Sequence, residues 1–266
     1  MDEDIKFEKL LDNIKTVSGF QHQGYKRSYL KRRVNIRMRA NRISDYLEYS
    51  KIVTKNPDEI DLLLDRLTVN VTEFFRNREV FDVLEEKTIP HLLEKNRRLK
   101  IWSAGSSEGR EAYSLAMILR KILGKEADRI SITATDIDDQ KLNAGRIGKF
   151  KFMNPKDIDK ELPEWALKMI ERNGLSVKVG PDLKKMVRFV HHDLIRDKPL
   201  DSIDMVVCRN LLIYFPKEAQ TIAMKKFHEA LKKDGVLVIG KTEHIPIEVK
   251  DLYKPLDLRQ RVFEKA

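Results

Sequence analysis

Trp102-Ser103-Ala104-Gly105-Ser106-Ser107-Glu108-Gly109-Arg110-Glu111-Ala112-Tyr113-Ser114 decides how the rest of this chain is read. It follows the apolar run Leu99 to Trp102 and opens into Leu115-Ala116-Met117-Ile118-Leu119, so the spacing predicts strand, small-residue loop, helix. Small residues let the backbone turn sharply and let a ligand approach closely. The loop lacks the Gly-Lys-Ser/Thr end of a P-loop and the three-glycine dinucleotide fingerprint. Glu111, in the first helical turn, is placed to meet a ligand cation, which suits a zwitterionic nucleoside better than a polyphosphate.

Downstream of that loop, strands and helices alternate. Candidate strands are Lys100 to Ala104, Ser131 to Asp136, Val187 to His191, Ile203 to Cys208 and Val236 to Gly240. Helices are predicted around Ala112 to Ile122, Asp139 to Ile147 and Lys217 to Leu231. Such alternation argues a doubly wound parallel sheet, an α/β fold with helices on both faces and the ligand beyond the strands' carboxyl ends. Residues 148–186 are too long for a plain connection, and Phe150, Phe152, Val177 and Val179 among turn residues predict a small antiparallel β insertion.

Upstream, Ile5 to Val17, Tyr25 to Ala40, Ser44 to Val53 and Pro57 to Leu67 show helical apolar spacing, with Ser44 as an expected N-cap and Pro57 in a first turn. Asn77 to Leu93 reads as a joining helix broken at Pro90. The expected division is a small all-helical domain over 1–76 and a ligand-binding domain over 77–266.

The chain has 266 residues, 41% of them hydrophobic, one cysteine and a net charge of +10. No apolar run approaches the ~20 residues that span a bilayer, and the acidic start Met1-Asp2-Glu3-Asp4 is not a secretory signal. A cytoplasmic protein, expected to be a monomer, follows. From Asn13 to Ser44 there are nine Lys or Arg residues and no acid. On a helix over Tyr25 to Ala40, Lys26, Arg33 and Arg37 form a narrow stripe, expected to meet an acidic partner: nucleic acid, anionic lipid or an acidic protein helix.

Candidate site residues stand at strand ends. Asp136 closes the second strand roughly 25 residues past the loop, where a carboxylate accepts ribose hydroxyls; the alternative is the N-cap of the helix from Asp139. His192-Asp193 follows the next strand. The remaining histidines are scattered, so no metal is expected, and a side chain there is expected at an adenine edge. Arg209, Asn210 and Tyr214 emerge from the apolar strand Val206-Val207-Cys208. Cys208 is expected to be a buried structural thiol. Arg76, after Phe74 and Phe75, has the planar fork that grips a carboxylate.

Asn70-Val71-Thr72-Glu73-Phe74-Phe75-Arg76, the loop from Trp102 to Ser114, Thr135-Asp136-Ile137-Asp138, Val207 to Phe215 and Gly235 to Gly240 carry a resemblance over nearly the whole chain. It resembles the chemotaxis-receptor (CheR-type) family of S-adenosylmethionine-dependent protein-glutamate O-methyltransferases. The resemblance implies a Rossmann-like methyltransferase sheet and S-adenosylmethionine as cofactor, with S-adenosylhomocysteine as product. It further implies Asn70, Thr72 and Arg76 along the methionine end, Glu111 at its amino group and Asp136 at the ribose. Asp193 and Leu194 would flank adenine. Arg209 and Asn210 would border the transfer site, with Arg209 able to hold the incoming carboxylate and Tyr214 beside the methyl. The basic helix would dock on the receptor's methylation helices. The chain departs from the family where Arg110 and Ala112 flank Glu111, and where Lys241-Thr242 precede Glu243. Arg110 is expected to matter little for cofactor affinity.

Two other readings compete. A nucleic-acid methyltransferase fits the basic bundle, but base amino-group methylation commonly uses an Asp/Asn-Pro-Pro-aromatic loop and no Pro-Pro occurs here; C5 methylation needs a nucleophilic cysteine, and Cys208 has apolar neighbours. A catalytically silent cofactor-binding adaptor is the other.

Overall fold

The computed structural model describes residues 2–68 and 72–266. These fall into two compact units, one of residues 1–70 with 214–219, the other of residues 71–213 with 220–266.

The first unit is a helical bundle of Glu3–Ser18, Arg27–Ala40, Tyr46–Lys55 and Pro57–Leu67. Its core gathers Phe7, Leu10, Ile14, Leu30, Val34, Tyr49, Leu63 and Leu67. The third helix is capped by Asp45, whose carboxylate accepts from Leu47 and Glu48 N–H at 2.9 and 3.1 Å. Ser44, the expected cap, is one residue early. Asn56 caps the fourth helix and Pro57 occupies its first turn. The segment 214–219 completes this unit: the Tyr214 carbonyl accepts the Lys26 N–H at 2.8 Å. The Tyr214 ring lies 4.7 Å from Tyr29, and Phe215 stands edge-on to Tyr25 at 5.7 Å.

The expected basic stripe does not survive intact. Arg37 forms a fork on Glu59, Nε to Oε1 at 3.1 Å and Nη2 to Oε2 at 2.6 Å, and the Tyr49 hydroxyl donates to the same carboxylate at 2.6 Å. Burial pushes the Glu59 carboxyl up, but hydrogen bonds from Arg37, Tyr49 and Asn41 together hold it below its ordinary value. Arg37 is therefore a bundle residue, not a free docking cation. Arg33 lies over the Tyr29 ring at 5.3 Å with its Nε buried. The outward face instead carries Lys31, Arg32, Ile36 and Arg39, which with Ser28 and Asn35 line a shallow depression of about 390 Å³.

The second unit holds ten strands: β1 (Lys100–Ala104), β2 (Ser131–Asp136), β3 (Lys149–Lys151), β4 (Ile170–Asn173), β5 (Ser176–Val179), β6 (Val187–His191), β7 (Ile203–Cys208), β8 (Leu231–Ile239), β9 (Tyr253–Asp257) and β10 (Val262–Lys265). Seven form one sheet in the order β6-β2-β1-β7-β8-β10-β9. The first five are parallel, and β10 and β9 run antiparallel at the end. Strand alternation sends Ile101, Met205 and Val207 to the core shared with Leu115 and Ile118. On the opposite face Trp102 packs against Phe227 of the helix Lys217–Ala230 at 5.5 Å. Strand order reverses between β1 and β7, which places the ligand crevice at their carboxyl ends.

The insertion forms a separate sheet, β3-β5-β4, antiparallel as expected, with short helices Pro155–Glu161, Glu164–Leu167 and Pro181–Lys184 around it. Residues 72–76, expected in the helical domain, belong to the sheet unit instead. Phe74 N–H donates to Glu161 at 2.9 Å, Phe75 N–H to Ser114 Oγ at 3.0 Å, and Phe75 packs on Phe81 and Trp165. The joining helix runs Arg78–Val83, widens at Leu84–Thr88 and resumes as Ile89–Lys95. Pro90 lacks the N–H that a regular turn needs. Among the described residues no helix is long and apolar enough to cross a membrane.

Candidate active site

Two half-buried acids and one buried arginine meet at the switch point. Gly105 follows β1 at φ 71°, and a Cβ there would stand 2.5 Å from Leu211 Cδ2, so the turn admits no side chain. Gly109 ends the loop at φ 83° against the Phe189 ring under the same limit. Between them the loop closes through Ser106 N–H on the Thr135 carbonyl at 2.8 Å and Gly109 N–H on the Ser106 carbonyl at 2.9 Å.

Asp136, at the end of β2, accepts Ser107 N–H on Oδ2 at 2.7 Å and Asp138 N–H on Oδ1 at 3.0 Å. Burial pushes its carboxyl above the ordinary value against those two bonds. The neighbouring helix is capped by Asp138, which accepts from Gln140 and Lys141 N–H. Asp136 is thus relieved of capping, and each of its oxygens keeps acceptor capacity. The Ser106 and Ser107 hydroxyls beside it are buried without a partner.

Glu111 accepts the Ser103 hydroxyl at 2.9 Å and faces Arg209 Nη1 at 3.4 Å. The Arg209 side chain is 2% exposed and that of Glu111 14%. Burial pushes Glu111 up, with Arg209 and Ser103 pulling it back, and pushes the Arg209 guanidinium down. Arg209 Nη2 donates to the Arg76 carbonyl at 2.6 Å and to Asn77 Oδ1 at 3.2 Å, while its Nε is buried without a partner. The guanidinium is therefore engaged with Glu111, the Arg76 carbonyl and the Asn77 side chain. The acceptors that the structure gives Arg209 are thus residues of this chain.

Asn210 follows at φ 60°, its N–H donating to Glu243 at 3.1 Å. Glu243 also accepts from Gly240 at 2.6 Å, Leu212 at 2.7 Å and Ile213 at 3.3 Å. Four backbone donors on one buried carboxylate fix the loop after β7. Sequence reasoning gave Glu243 no role, although an acid just past a strand's carboxyl end was the available signal.

The other expected site residues are less gathered. Thr72 and Arg76 are half-buried on the 72–76 segment, and Asn70 lies outside the described residues. Asp193 Oδ1 accepts Ile195 and Arg196 N–H, closing its own turn, and Leu194 is buried. His192, beside them, is a buried residue whose ring meets Trp102 at 5.4 Å and whose Nε2 pairs with the Lys198 carbonyl. Tyr214 belongs to the helical unit. Burial pushes the Cys208 thiol well up, as suits a structural residue.

Arg110, expected to be peripheral, is 11% exposed. It pairs with Glu108 at 2.6 Å and Glu161 at 3.1 Å and lies over the rings of Phe74, Phe150 and Phe152 at 5.5, 5.1 and 4.9 Å.

One acid with spare acceptors at a strand end, a second acid by a glycine-bounded loop and buried hydroxyls without partners fit a nucleoside that carries an ammonium group. S-adenosylmethionine meets that description.

Residues 70–262 match the family described as CheR methyltransferase, SAM binding domain, and residues 5–68 match the CheR methyltransferase, all-alpha domain. A chemotaxis protein methyltransferase of Listeria innocua is 36% identical over 222 residues, 83% of each chain. One from Listeria monocytogenes is 35% identical over the same shares. Another from Borreliella burgdorferi is 34% identical over 83% of this chain and 81% of its own. The two matched domains account for nearly the whole sequence in order, and the chain belongs to the CheR methyltransferase family.

Proposed function

We propose that the protein transfers a methyl group from S-adenosylmethionine to glutamate side chains of chemotaxis receptors, giving glutamyl methyl esters. The observation that carries this reading is the pair of half-buried acids at the switch point, Asp136 and Glu111, in a chain of this family. Bound S-adenosylmethionine supplies a methyl group already activated by its sulfonium.

The residues have correspondingly little proton chemistry to perform. A glutamate with an ordinary value near 4.3 is ionised at neutral pH and needs no general base. What the site contributes is alignment and exclusion of water, which can lower a barrier by roughly 7–11 kcal/mol. In this reading Asp136 accepts the ribose hydroxyls, and Glu111 holds the ammonium while Arg209 keeps the acid oriented. Thr72 and Arg76 line the methionine end. Tyr214 orients the acceptor carboxylate or methyl without acting as a base.

Incubation with methyl-labelled cofactor and a receptor cytoplasmic fragment tests the proposal. Label released by mild base as methanol is the expected result. Label on nucleic acid, or cofactor binding with no transfer to the fragment, would replace this reading with one of its two rivals.

Affinity for S-adenosylmethionine is expected to depend on pH with a definite sign. Burial raises both Asp136 and Glu111, while the ligand's ammonium and hydroxyls favour their ionised forms. Binding therefore strengthens as pH rises and weakens on acidification at a pH above the ordinary carboxylate range. Calorimetry between pH 5 and 8 checks this, and a flat profile would remove both acids from the ligand's charge.

The docking face proposed for an acidic receptor helix is Lys31, Arg32, Ile36 and Arg39, in place of the stripe through Arg37. Arg32→Glu with Arg39→Glu should raise the KM for receptor several-fold and leave cofactor affinity unchanged. Added salt should weaken wild-type docking, since exposed charges are screened over about 10 Å at 0.1 M. Methylation indifferent to both would leave this face merely solvated.

A further inference from the structure

Arg110 joins three pieces of chain that are far apart in sequence. Its guanidinium bridges Glu108, in the small-residue loop, and Glu161, the last residue of the insertion helix Pro155–Glu161. Its face is boxed by Phe74, from the segment bearing Thr72 and Arg76, and by Phe150 and Phe152 of the insertion. Phe74 and Phe150 meet edge to face at 5.0 Å. Glu161 also accepts the Phe74 N–H, so one carboxylate holds both the arginine and the 72–76 backbone. The Ser114 hydroxyl donates to the Arg110 carbonyl at 2.8 Å while accepting Phe75 N–H. A cation in the first turn of a helix opposes the helix dipole. Here two carboxylates and three rings offset that opposition.

Apart from Glu108, which adjoins Ser107, the residues tied to Arg110 lead to one side of the proposed ligand. The next residue is Glu111, which faces Arg209, and Arg209 in turn holds the Arg76 carbonyl. Asp136, by contrast, is held by Ser107 and Asp138 backbone groups with no part of this cluster.

We propose that Arg110 is a positioning residue through which the β insertion supports the amino-acid end of the cofactor site, and not its nucleoside end. This rests on the reading of the site as one for S-adenosylmethionine. Loss of the cluster lets the 72–76 segment and the first turn of the helix from Arg110 shift, and misplacement of about 1 Å can cost on the order of 100-fold in the rate of a well-aligned reaction.

The test is calorimetric, on the full chain, with two ligands: S-adenosylhomocysteine, and 5′-methylthioadenosine, which lacks the amino-acid end. Arg110→Ala and Glu161→Gln should each weaken S-adenosylhomocysteine roughly 10-fold or more, and Arg110→Lys, which keeps the charge without the fork, by less. Affinity for methylthioadenosine should stay within about twofold. Equal losses for both ligands would mark a merely structural role and overturn the proposal, as would no loss for either. If Arg110→Ala does not fold, the near-isosteric Glu161→Gln decides by the same ratio. Wild-type protein that binds neither ligand would overturn the reading of the cofactor site itself, a result distinct from equal binding by wild type and variants.

Discussion

Glu243→Gln is expected to unfold the loop after β7 although it changes a single atom. Each carboxylate oxygen accepts two backbone N–H groups: Leu212 and Ile213 on one, Gly240 and Asn210 on the other. Either orientation of an amide would point its NH2 at two donors. Two charge-assisted bonds are lost and two buried N–H groups are left facing a donor, a loss of about 3 kcal/mol or more. For a chain of this size that corresponds to a fall in Tm of very roughly 5–10 °C, accompanied by loss of methyl transfer. Glu243→Ala should cost at least as much, because it leaves all four N–H groups without an acceptor. Thermal denaturation within about 2 °C of wild type would show that the four bonds contribute little.

Arg37→Ala is expected to cost the helical unit about 3–5 kcal/mol, since it leaves the buried Glu59 carboxylate without its cation. Arg32→Ala or Arg39→Ala, on the exposed face, should fall within about 0.5 kcal/mol of wild type. The pH dependence has opposite signs in the two proteins. In wild type Glu59 is held below its ordinary value, so its contribution is present above that value and lost as pH falls through the lower folded value. Without Arg37, burial is the dominant influence and ionised Glu59 is a liability, so the deficit should shrink between pH 7 and pH 4.5. Urea denaturation at the two pH values checks this; an equal deficit at both would mean that Glu59 stays paired without Arg37.

The parallel half of the sheet was legible in the sequence because apolar runs ended at Ala104, Asp136, His191 and Cys208, as in the structure. The last two strands were not. β9 contains Pro255, which ordinarily argues against a strand and is tolerated here because β9 is the sheet's edge. β10 is four residues long with charges at its end. Asp136 and Glu111 were legible because position relative to a strand and a helix start is a local property. The burdens of Arg37, Arg110 and Arg209 were not. Nothing within a few residues of each reveals Glu59, Glu161 or the carbonyl of Arg76, and a cation buried by a distant acid looks in sequence like one bathed in water. The packing of His192 was no more visible, since its partner Trp102 lies on a strand two places away in the sheet.

The segment 214–219 gives the helical unit a history as well as a shape. Tyr25, Lys26 and Tyr29 receive their last neighbours from Tyr214 and Phe215. During synthesis the four helices emerge first, yet their aromatic edge lacks the contacts of Tyr214 and Phe215 until residues 214–219 have followed. The unit that leaves the ribosome first therefore waits for its last piece until most of the other unit has followed it. Its final closure is a long-range contact, of the kind that slows folding by the entropy of the intervening chain. A nascent chain halted before Tyr214 carries a helical bundle that is formed but not sealed.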